Sequence, residues 1–336
     1  KVGINGFGRI GRAFLKVAWD RPEIEVVAVN DLGDIANMAY LLKYDTVYKK
    51  WEHDIKVEGD NIIIDGKKVK YISEKEPTKL PWKDLEIDIA VEATGIFVNY
   101  DKAKVHLDAG AKKVVITAPS KGDSTVPGET ILLGVNEEKF GTCDISSNAS
   151  CTTNAAAPLI AILDEALGIE KALLNTTHAL TNNQPTVDSV SKKDFREGRA
   201  GGHNMVPSST GAAIAVTKAF PKLTGLFDGI AIRVPIISGS IADITFISKR
   251  ETTKEEVNDI LRKAAKEKRW QGVFSTTDEP LVSSDILDNP HASIADLGLT
   301  RVVGGNLVKV MGWYDNEMGY TYTLIDHVIK TGETIK

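Results

Sequence analysis

The stretch KVGINGFGRIGRAFLKVAWDRPEIEVVAVND, residues 1–31, decides the fold because it reads as a strand, a glycine turn, a helix and a second strand. The apolar run Val2–Asn5 ends at the glycines, and Arg9–Trp19 then carries its apolar residues on one helical face. Glu25–Asn30 has the composition of the next strand. Two strands joined by a helix within about 30 residues predict a right-handed crossover between parallel strands.

The glycine turn carries the pattern G-x-G-x-x-G over residues 6–11, and Asp31 ends the second strand about 20 residues later. Glycines let the backbone approach a pyrophosphate group, and the start of the helix supplies N–H donors to it. Asp31 can accept hydrogen bonds from ribose hydroxyls and would repel a 2′-phosphate, so NAD is expected rather than NADP. Two alternatives use the same residues: a tight turn with a capping Asp, and a nucleotide-binding regulator without chemistry.

The first half of the chain keeps alternating between strand-like and helix-like patterns. It contains a predicted hairpin over Asn61–Ile72, strands within Ile87–Gly95 and Lys112–Ser120, and a helix near Asp101–Ala109. This alternation is typical of an α/β fold with a doubly wound sheet of the Rossmann type. We therefore expect a dinucleotide-binding domain over residues 1–149.

The pattern changes near Ser150. Cys151–Gly168 predicts a helix, in which Pro158 should cause a first-turn distortion or a kink. Longer alternating runs follow, at Phe227–Ile237, Gly239–Ser248 and Asn306–Asp315. Such runs indicate a mostly antiparallel sheet with one covered face.

The remaining segments complete a second, α+β domain. Thr252–Lys268 predicts an amphipathic helix, whereas the polar segment Ser189–Pro207 has little periodicity and reads as a functional loop. We expect a catalytic domain over residues 150–315. A C-terminal helix within residues 316–336 is expected to pack back on the first domain.

Composition excludes several classes of protein. The 336 residues are 42% hydrophobic and 26% charged, with a formal net charge of −5, so a packed core is expected and a dedicated nucleic-acid binder is not. No apolar run approaches the ~20 residues of a membrane span. The two cysteines, Cys143 and Cys151, fit a reducing compartment, and we expect a cytoplasmic protein without a metal.

Cys151 stands in SNASCTTN, at the predicted start of its helix. The helix N-terminus should stabilise a thiolate and lower the pKa of the thiol. His178 ends a strand-like stretch that can return to the start of that helix, so it could act as a base for the thiol. From the residues alone, a lone cysteine such as Cys151 is more often a small core residue than a nucleophile, and a lone histidine such as His178 is usually an ordinary surface or core group.

Six motifs occur together and in order: INGFGRIGR, SNASCTTN, HALTNNQPTVD, PSSTGAA, IRVP and WYDNEMGY. In this combination the chain resembles the phosphorylating glyceraldehyde-3-phosphate dehydrogenase family of glycolysis over essentially its whole length. The resemblance implies that Cys151 is the nucleophile and His178 its base. It further implies oxidation of D-glyceraldehyde 3-phosphate to 1,3-bisphosphoglycerate with NAD, through a thiohemiacetal and a thioester on Cys151.

The resemblance also implies the ligand-binding residues. The cofactor positions are Asn5, Gly6, Phe7, Gly8, Arg9, Ile10, Asp31, Lys75, Thr94, Gly95, Thr117 and Asn316. The positions for the substrate phosphate and inorganic phosphate are Ser150, Thr152, Thr181, Arg196, Thr210, Gly211 and Arg233. A homotetramer is implied as the assembly.

Some residues depart from the family pattern. Glu197 stands where many bacterial relatives have an arginine, and Val190 where NAD-specific members often have proline. Two other hypotheses compete with a phosphorylating glyceraldehyde-3-phosphate dehydrogenase. One is an erythrose-4-phosphate dehydrogenase, which hydrolyses its thioester, and the other is a non-catalytic nucleotide-binding protein.

Overall fold

The computed structural model describes residues 1–191 and 194–335. The chain forms two compact units. Unit 1 comprises Lys1–Ile131, Glu137–Ala149 and the residues from Leu324 on, and unit 2 comprises Leu132–Asn136 and Ser150–Thr323.

Unit 1 is built on the predicted strand–turn–helix–strand start. Its elements are β1 (Val2–Asn5), α1 (Arg9–Trp19), β2 (Val26–Asn30), α2 (Ile35–Lys43), β3 (Tyr44–Asp45), β4 (Lys49–Lys50), β5 (Ile55–Glu58), β6 (Asn61–Ile64), β7 (Lys67–Ile72), β8 (Ile89–Glu92), α3 (Tyr100–Ala103), α4 (Val105–Asp108), β9 (Lys113–Ile116), β10 (Gly128–Thr130) and β11 (Ile145–Ser147).

The main sheet of unit 1 has the order β10-β11-β9-β8-β1-β2-β7-β6-β5. Strands β1 and β2 are parallel, with Ile4 level with Val29, which confirms the predicted crossover. The order reverses around β1, with β8 on one side and β2 on the other. In doubly wound sheets a ligand binds at the carboxyl ends of the strands at such a switch point.

The hairpin predicted over Asn61–Ile72 is confirmed, since β6 and β7 pair antiparallel. Its turn residues Asp65 and Gly66 have φ values of 49° and 80°. This left-handed backbone at both positions is what an Asp-Gly hairpin turn requires.

Unit 2 contains the later elements of the chain. They are α5 (Cys151–Leu167), β12 (Ile169–His178), β13 (Val206–Ser209), α6 (Ala212–Ala219), β14 (Phe227–Arg233), β15 (Ser240–Ser248), α7 (Lys254–Ala264), β16 (Phe274–Thr277), β17 (Ser293–Asp296), β18 (Arg301–Val303), β19 (Leu307–Tyr314) and the start of α8 (Met318–Glu333).

The sheet of unit 2 has the order β13-β14-β12-β15-β19-β17-β16, and β18 also pairs with β19. Most neighbours are antiparallel, while β12 with β14 and β16 with β17 form parallel pairs. Strand β15 alternates buried and half-buried residues over most of its length, as the sequence predicted. The expected fold class, a Rossmann-type sheet and a mostly antiparallel sheet, is therefore confirmed.

Two local predictions need correction, and one is not tested. The helix expected near Asp101–Ala109 is two short helices that meet at Lys104, beside the fully buried His106. Pro158 lies inside α5, which runs on through it, and the distortion or kink expected there stays a prediction. The segment expected to be a loop up to Pro207 contains a 3-10 turn at Phe195–Gly198, and β13 begins at Val206.

Candidate functional site

The glycine turn between β1 and α1 has room for a ligand on one side only. Gly6 has φ +96°, and a Cβ there would lie 2.7 Å from the backbone of Ala93 and Thr94. A Cβ on Gly11 would overlap the carbonyl oxygen of Gly6, which shows how closely α1 packs on the turn. A Cβ on Gly8, in contrast, would meet nothing within 4 Å. The open side of Gly8 fits the close approach of a pyrophosphate.

The Asp31 carboxylate is held beside this turn. Its Oδ2 accepts a hydrogen bond from Phe7 N at 2.8 Å, and its Oδ1 accepts one from Gly33 N at 2.9 Å. These two donors fix the side chain at the carboxyl end of β2. The negative charge therefore lies next to the glycine turn, where a ribose would follow the pyrophosphate.

A buried carboxylate, Glu92 at the end of β8, supports two of the predicted cofactor residues. Asn5 Nδ2 donates to its Oε2 at 2.7 Å, and Thr94 N donates to its Oε1 at 2.8 Å. His106 Nε2 lies 2.9 Å from Oε2, and Trp82 Nε1 donates to His106 Nδ1 at 3.1 Å. His106 therefore carries its hydrogen on Nε2 and donates it to Glu92. Sequence reasoning missed this network because its members come from four separate segments.

The other predicted cofactor residues of unit 1 have varied surroundings. Arg9 Nη1 donates to Asp45 at 2.9 Å, and Thr117 N donates to the carbonyl oxygen of Glu92 at 3.0 Å. The rest are half-buried or exposed: Ile10, Lys75 and Gly95.

Cys151 is the first residue of α5, as predicted. Ser150 caps the helix, since its Oγ accepts a hydrogen bond from Thr153 N at 3.1 Å. The residue before the cap, Ala149, has φ +55°, a left-handed backbone conformation that residues other than glycine rarely adopt. The sulfur atom therefore lies at the first turn of a helix, where backbone N–H groups are not used within the helix.

Strand β12 ends at His178 and brings its imidazole to this thiol. Cys151 Sγ and His178 Nε2 are 3.4 Å apart, and His178 is 3% exposed. Arg233 ends the neighbouring strand β14 level with His178, and its Nη1 donates to the carbonyl oxygen of Ala179 at 3.1 Å. The structure thus brings together a thiol, an imidazole and a guanidinium from three elements of unit 2.

The tautomer of His178 depends on the surroundings of Nδ1. This atom lies 2.7 Å from the carbonyl oxygen of Ala179 and 2.5 Å from Arg233 Nη1. With the hydrogen on Nδ1, the imidazole donates to this carbonyl, which also accepts from Arg233; with the hydrogen on Nε2, Nδ1 instead accepts from Arg233 Nη1. A base at Nε2 requires the first tautomer. The Nε2 lone pair then faces the thiol of Cys151.

Burial dominates the acid–base behaviour of the pair. It raises the pKa of the Cys151 thiol, although the charge of Arg233 and hydrogen bonds from Thr152 act in the opposite direction. Burial and then Arg233 lower the pKa of His178 to about 3. Backbone N–H groups at the helix start lower the thiol pKa as expected, but burial outweighs them and the net shift of the pKa is upward. A proton passed from sulfur to Nε2 leaves the pair with no net charge, so burial opposes that transfer less than either separate ionisation.

A buried tyrosine that sequence reasoning missed lies behind this pair. Tyr314 Oη is 2.9 Å from Thr152 Oγ1 and 2.7 Å from Thr176 Oγ1, and its ring meets the His178 ring edge-on at 5.9 Å. Burial raises the pKa of Tyr314. This neutral phenol fixes the first turn of α5 against β12.

The predicted phosphate-binding residues form separate groups. Arg233 is level with Val206 on β13, whereas Ser209 is level with Ile230, so the strand ends about 10 Å along the ladder from Arg233. Thr210 follows that end, and its Oγ1 accepts a hydrogen bond from Ala212 N, the first residue of α6, at 3.2 Å. Thr210 and Gly211 therefore lie between the end of β13 and α6, whereas the backbone of Arg233 is level with the other end of β13.

Two predicted residues are engaged within their own loop. Thr181 Oγ1 donates to Gln184 Oε1 at 3.1 Å. The exposed Arg196 donates from Nη2 to Asp194 at 2.8 Å. Glu197, next to it, accepts a hydrogen bond from Ser208 Oγ at 2.6 Å. The guanidinium of Arg196 is thus paired with a carboxylate in this structure.

Comparisons with known proteins agree with these features. Residues 1–100 match the profile described as glyceraldehyde 3-phosphate dehydrogenase, NAD binding domain, and residues 150–316 match that of its C-terminal domain. The chain belongs to the glyceraldehyde-3-phosphate dehydrogenase family. Family membership makes it an NAD-dependent oxidoreductase that acts in glycolysis.

Full-length relatives named glyceraldehyde-3-phosphate dehydrogenase are similar to this chain throughout. The protein of Mycobacterium avium is 47% identical, with 100% of this chain and 99% of the relative covered. That of Eremothecium gossypii is 46% identical, with 98% of each covered, and that of Streptomyces coelicolor is 44% identical, with 100% and 99% covered.

The described residues contain neither a membrane-spanning helix nor a cluster of metal-ligating side chains. Among residues 1–191 and 194–335, no helix has the length and apolar character needed to cross a membrane. Within the same described ranges, no group of three or more His, Cys, Asp or Glu side chains could hold a metal ion.

Proposed function

We propose that Cys151 and His178 catalyse the phosphorylating oxidation of D-glyceraldehyde 3-phosphate to 1,3-bisphosphoglycerate. The observation that carries the proposal is the 3.4 Å contact between Cys151 Sγ and His178 Nε2 at the start of α5. A cysteine that only fills the core has no need of a buried imidazole at its sulfur. A pair with this contact has the geometry of a nucleophile and its base.

His178 accepts the thiol proton at Nε2, and the Cys151 sulfur attacks the aldehyde carbon. The carbonyl oxygen then takes that proton from His178, which gives a thiohemiacetal and returns the imidazole to its neutral form. The Cys151 backbone N–H and the protonated His178 are donors to the oxygen as its charge develops. Hydrogen bonding of Nδ1–H to the Ala179 carbonyl at 2.7 Å keeps the basic nitrogen directed at the sulfur.

Bound NAD would supply the hydride acceptor for the carbon atom of this adduct. The residues that fit it are the open Gly8 turn, the fixed Asp31 carboxylate, Asn5 and Thr94 over Glu92, and Asn316 for the nicotinamide carboxamide. His178 removes the hydroxyl proton of the adduct as the thioester forms. A phosphate oxygen next attacks the thioester carbon, the Cys151 thiolate leaves, and the proton on His178 returns to it.

We propose that the two separate groups of polar residues hold the two phosphates of the reaction. Arg233 presents a planar guanidinium beside His178, where it can bind a phosphate in bidentate fashion. Thr210 and Gly211 precede α6, whose free N–H groups favour an anion. Ser150, Thr152, Thr181 and Arg196 are expected to contribute to these two places, Arg196 after leaving Asp194.

The test is reduction of NAD by the purified protein with glyceraldehyde 3-phosphate, with and without inorganic phosphate, beside erythrose 4-phosphate. Turnover that requires phosphate and prefers the triose supports the proposal. Phosphate-independent turnover with erythrose 4-phosphate would favour the hydrolytic alternative, and no turnover would favour the non-catalytic one.

Cys151→Ala tests the nucleophile. Turnover should fall by at least about 10⁴-fold because the covalent route is lost, while the NAD dissociation constant should change less than about twofold. Titration calorimetry measures the second quantity. Aldehyde oxidation that persists in this variant would overturn the role of Cys151.

Three further assignments are part of the proposal. Residues 1–149, with the C-terminal helix in 316–336, form the NAD-binding domain, and residues 150–315 form the catalytic domain. The assembly is a homotetramer and the compartment is the cytoplasm. Sedimentation velocity and fractionation of cells test the last two.

A further inference from the structure

The amide of Asn316 is oriented by two donors. Gly239 N donates to Asn316 Oδ1 at 3.1 Å, and Ser240 Oγ donates to the same oxygen at 2.9 Å. A rotation that exchanged the amide oxygen and nitrogen would set N–H groups against both donors. Asn316 therefore keeps its oxygen on this side and its Nδ2 hydrogens for an acceptor on the other.

The Ser240 hydroxyl has a second partner. Its oxygen accepts a hydrogen bond from Ala179 N at 3.1 Å, and the side chain is 1% exposed at the start of β15. Ala179 is the residue whose carbonyl oxygen lies 2.7 Å from His178 Nδ1. One buried hydroxyl thus fixes both the amide of Asn316 and the backbone that orients the imidazole.

We propose that Ser240 is a positioning residue. Its hydroxyl orients both the side-chain amide of Asn316, which binds the cofactor, and the backbone that holds the catalytic base His178. The proposal rests on the function proposed above, in which Asn316 binds the nicotinamide carboxamide. With the hydroxyl in place, Asn316 Nδ2 and His178 Nε2 are held by the same side chain. Loss of the hydroxyl leaves the Asn316 amide with Gly239 N alone and leaves Ala179 N without its acceptor.

A purely structural role makes different predictions. In a purely structural role, Ser240 only ties the chain after β12 to β15. Removal of another equally buried serine hydroxyl from β15 should then have the same effect as removal of the Ser240 hydroxyl. Ser248 allows this comparison: it ends the same strand, is also 1% exposed, and donates from Oγ to Arg250 O at 2.7 Å. Ser240→Ala and Ser248→Ala remove equally buried hydroxyls from the two ends of β15.

The first readout is NAD affinity, measured by titration calorimetry on the full chain. Ser240→Ala should raise the dissociation constant roughly tenfold, because a donor that fixes the Asn316 amide is lost. Ser248→Ala should change it less than about twofold. In an Asn316→Ala background, Ser240→Ala should add less than about twofold, since its effect passes through the missing amide.

The second readout is alkylation of Cys151 by iodoacetamide in NAD-free protein across pH 5–9. Ser240→Ala should change the rate profile, because the carbonyl that orients His178 is less firmly held. Ser248→Ala should keep the wild-type profile. Circular dichroism and thermal unfolding verify that each variant is folded.

The outcomes separate the two proposals. An unchanged NAD dissociation constant in Asn316→Ala would overturn the cofactor role of Asn316, and the Ser240 proposal with it. Weaker binding in Asn316→Ala but not in Ser240→Ala would overturn only the Ser240 proposal. Losses that multiply in the double variant, or equal effects of Ser240→Ala and Ser248→Ala, would show a structural role instead.

Discussion

Acidification should destabilise the protein through His327, a fully buried residue of α8. Its Nε2 lies 2.7 Å from Ser146 Oγ, and its ring packs edge-on against Phe140 with centroids 5.0 Å apart. Burial lowers the pKa of His327 from 6.5 to about 3. The imidazole is therefore neutral in the folded chain at pH 5, while it is protonated in the unfolded chain.

Proton linkage gives the sign and the size of this change in the free energy of unfolding. A depressed pKa gives stability that is complete above pH 6.5 and is lost as the pH falls toward 3. Each pH unit inside this window costs about 1.4 kcal/mol, so acidification from pH 7.5 to 5 should cost about 2 kcal/mol through His327. The figure is the same for any folded-state pKa below about 4, because the folded imidazole is then neutral at pH 5.

Urea unfolding at the two pH values measures this loss. His327→Gln can still hydrogen-bond to Ser146 but cannot titrate, so it should lose about 2 kcal/mol less than wild type between pH 7.5 and 5. His203→Gln, at an exposed position, controls for the removal of a histidine. Equal losses in wild type and His327→Gln, within about 0.5 kcal/mol, would refute the reasoning.

Two other predictions concern the cofactor half of the site. Asp31→Gly should relax the exclusion of NADP by roughly tenfold or more in the ratio of kcat/KM values, because the 2′-phosphate no longer meets a carboxylate; an unchanged ratio would mean that another residue discriminates. Gly8→Ala should fold normally, since its Cβ meets nothing within 4 Å, yet weaken NAD binding at the turn. Gly6→Ala, with φ +96° and a Cβ 2.7 Å from Ala93, should instead lower the thermal midpoint of unfolding. Calorimetry and thermal unfolding of both variants check this; a lowered midpoint in Gly8→Ala with an unchanged midpoint in Gly6→Ala would contradict it.

The elements with strong local signals could be predicted from the sequence. Arg9–Trp19 forms the predicted helix because its apolar residues recur with helical spacing and the glycine turn precedes it. The Asp65-Gly66 turn could be predicted because its left-handed backbone suits those two residue types. In both cases the deciding interactions lie within a few residues along the chain.

Other features depend on contacts that no local pattern reveals. Pro158 removes one helical hydrogen bond, but α5 is buried along almost all of its length, and its packing keeps the helix continuous. The raised thiol pKa of Cys151 was missed because burial by the surrounding side chains outweighs the effect of the helix start.

Some residues of the candidate site could likewise be predicted from the sequence, and others could not. The motif around Cys151 identifies a helix start, and the strand ending at His178 could be predicted to return there. Ser240 and Tyr314, which hold these residues in place, carry no motif of their own. Their importance becomes visible only through the pairing of β12 with β15 and of β15 with β19.

The pairing of β12 on both sides bears on which parts of this chain can change in sequence. The strand carries His178 at its end and is paired on both sides, with β14 and β15. In the described part of the segment that follows, Thr181 donates to Gln184 and Arg196 donates to Asp194. Substitutions in that segment are therefore expected to change the surroundings of the proposed phosphate-binding residues Thr181 and Arg196, while His178 stays on a strand that is paired on both sides.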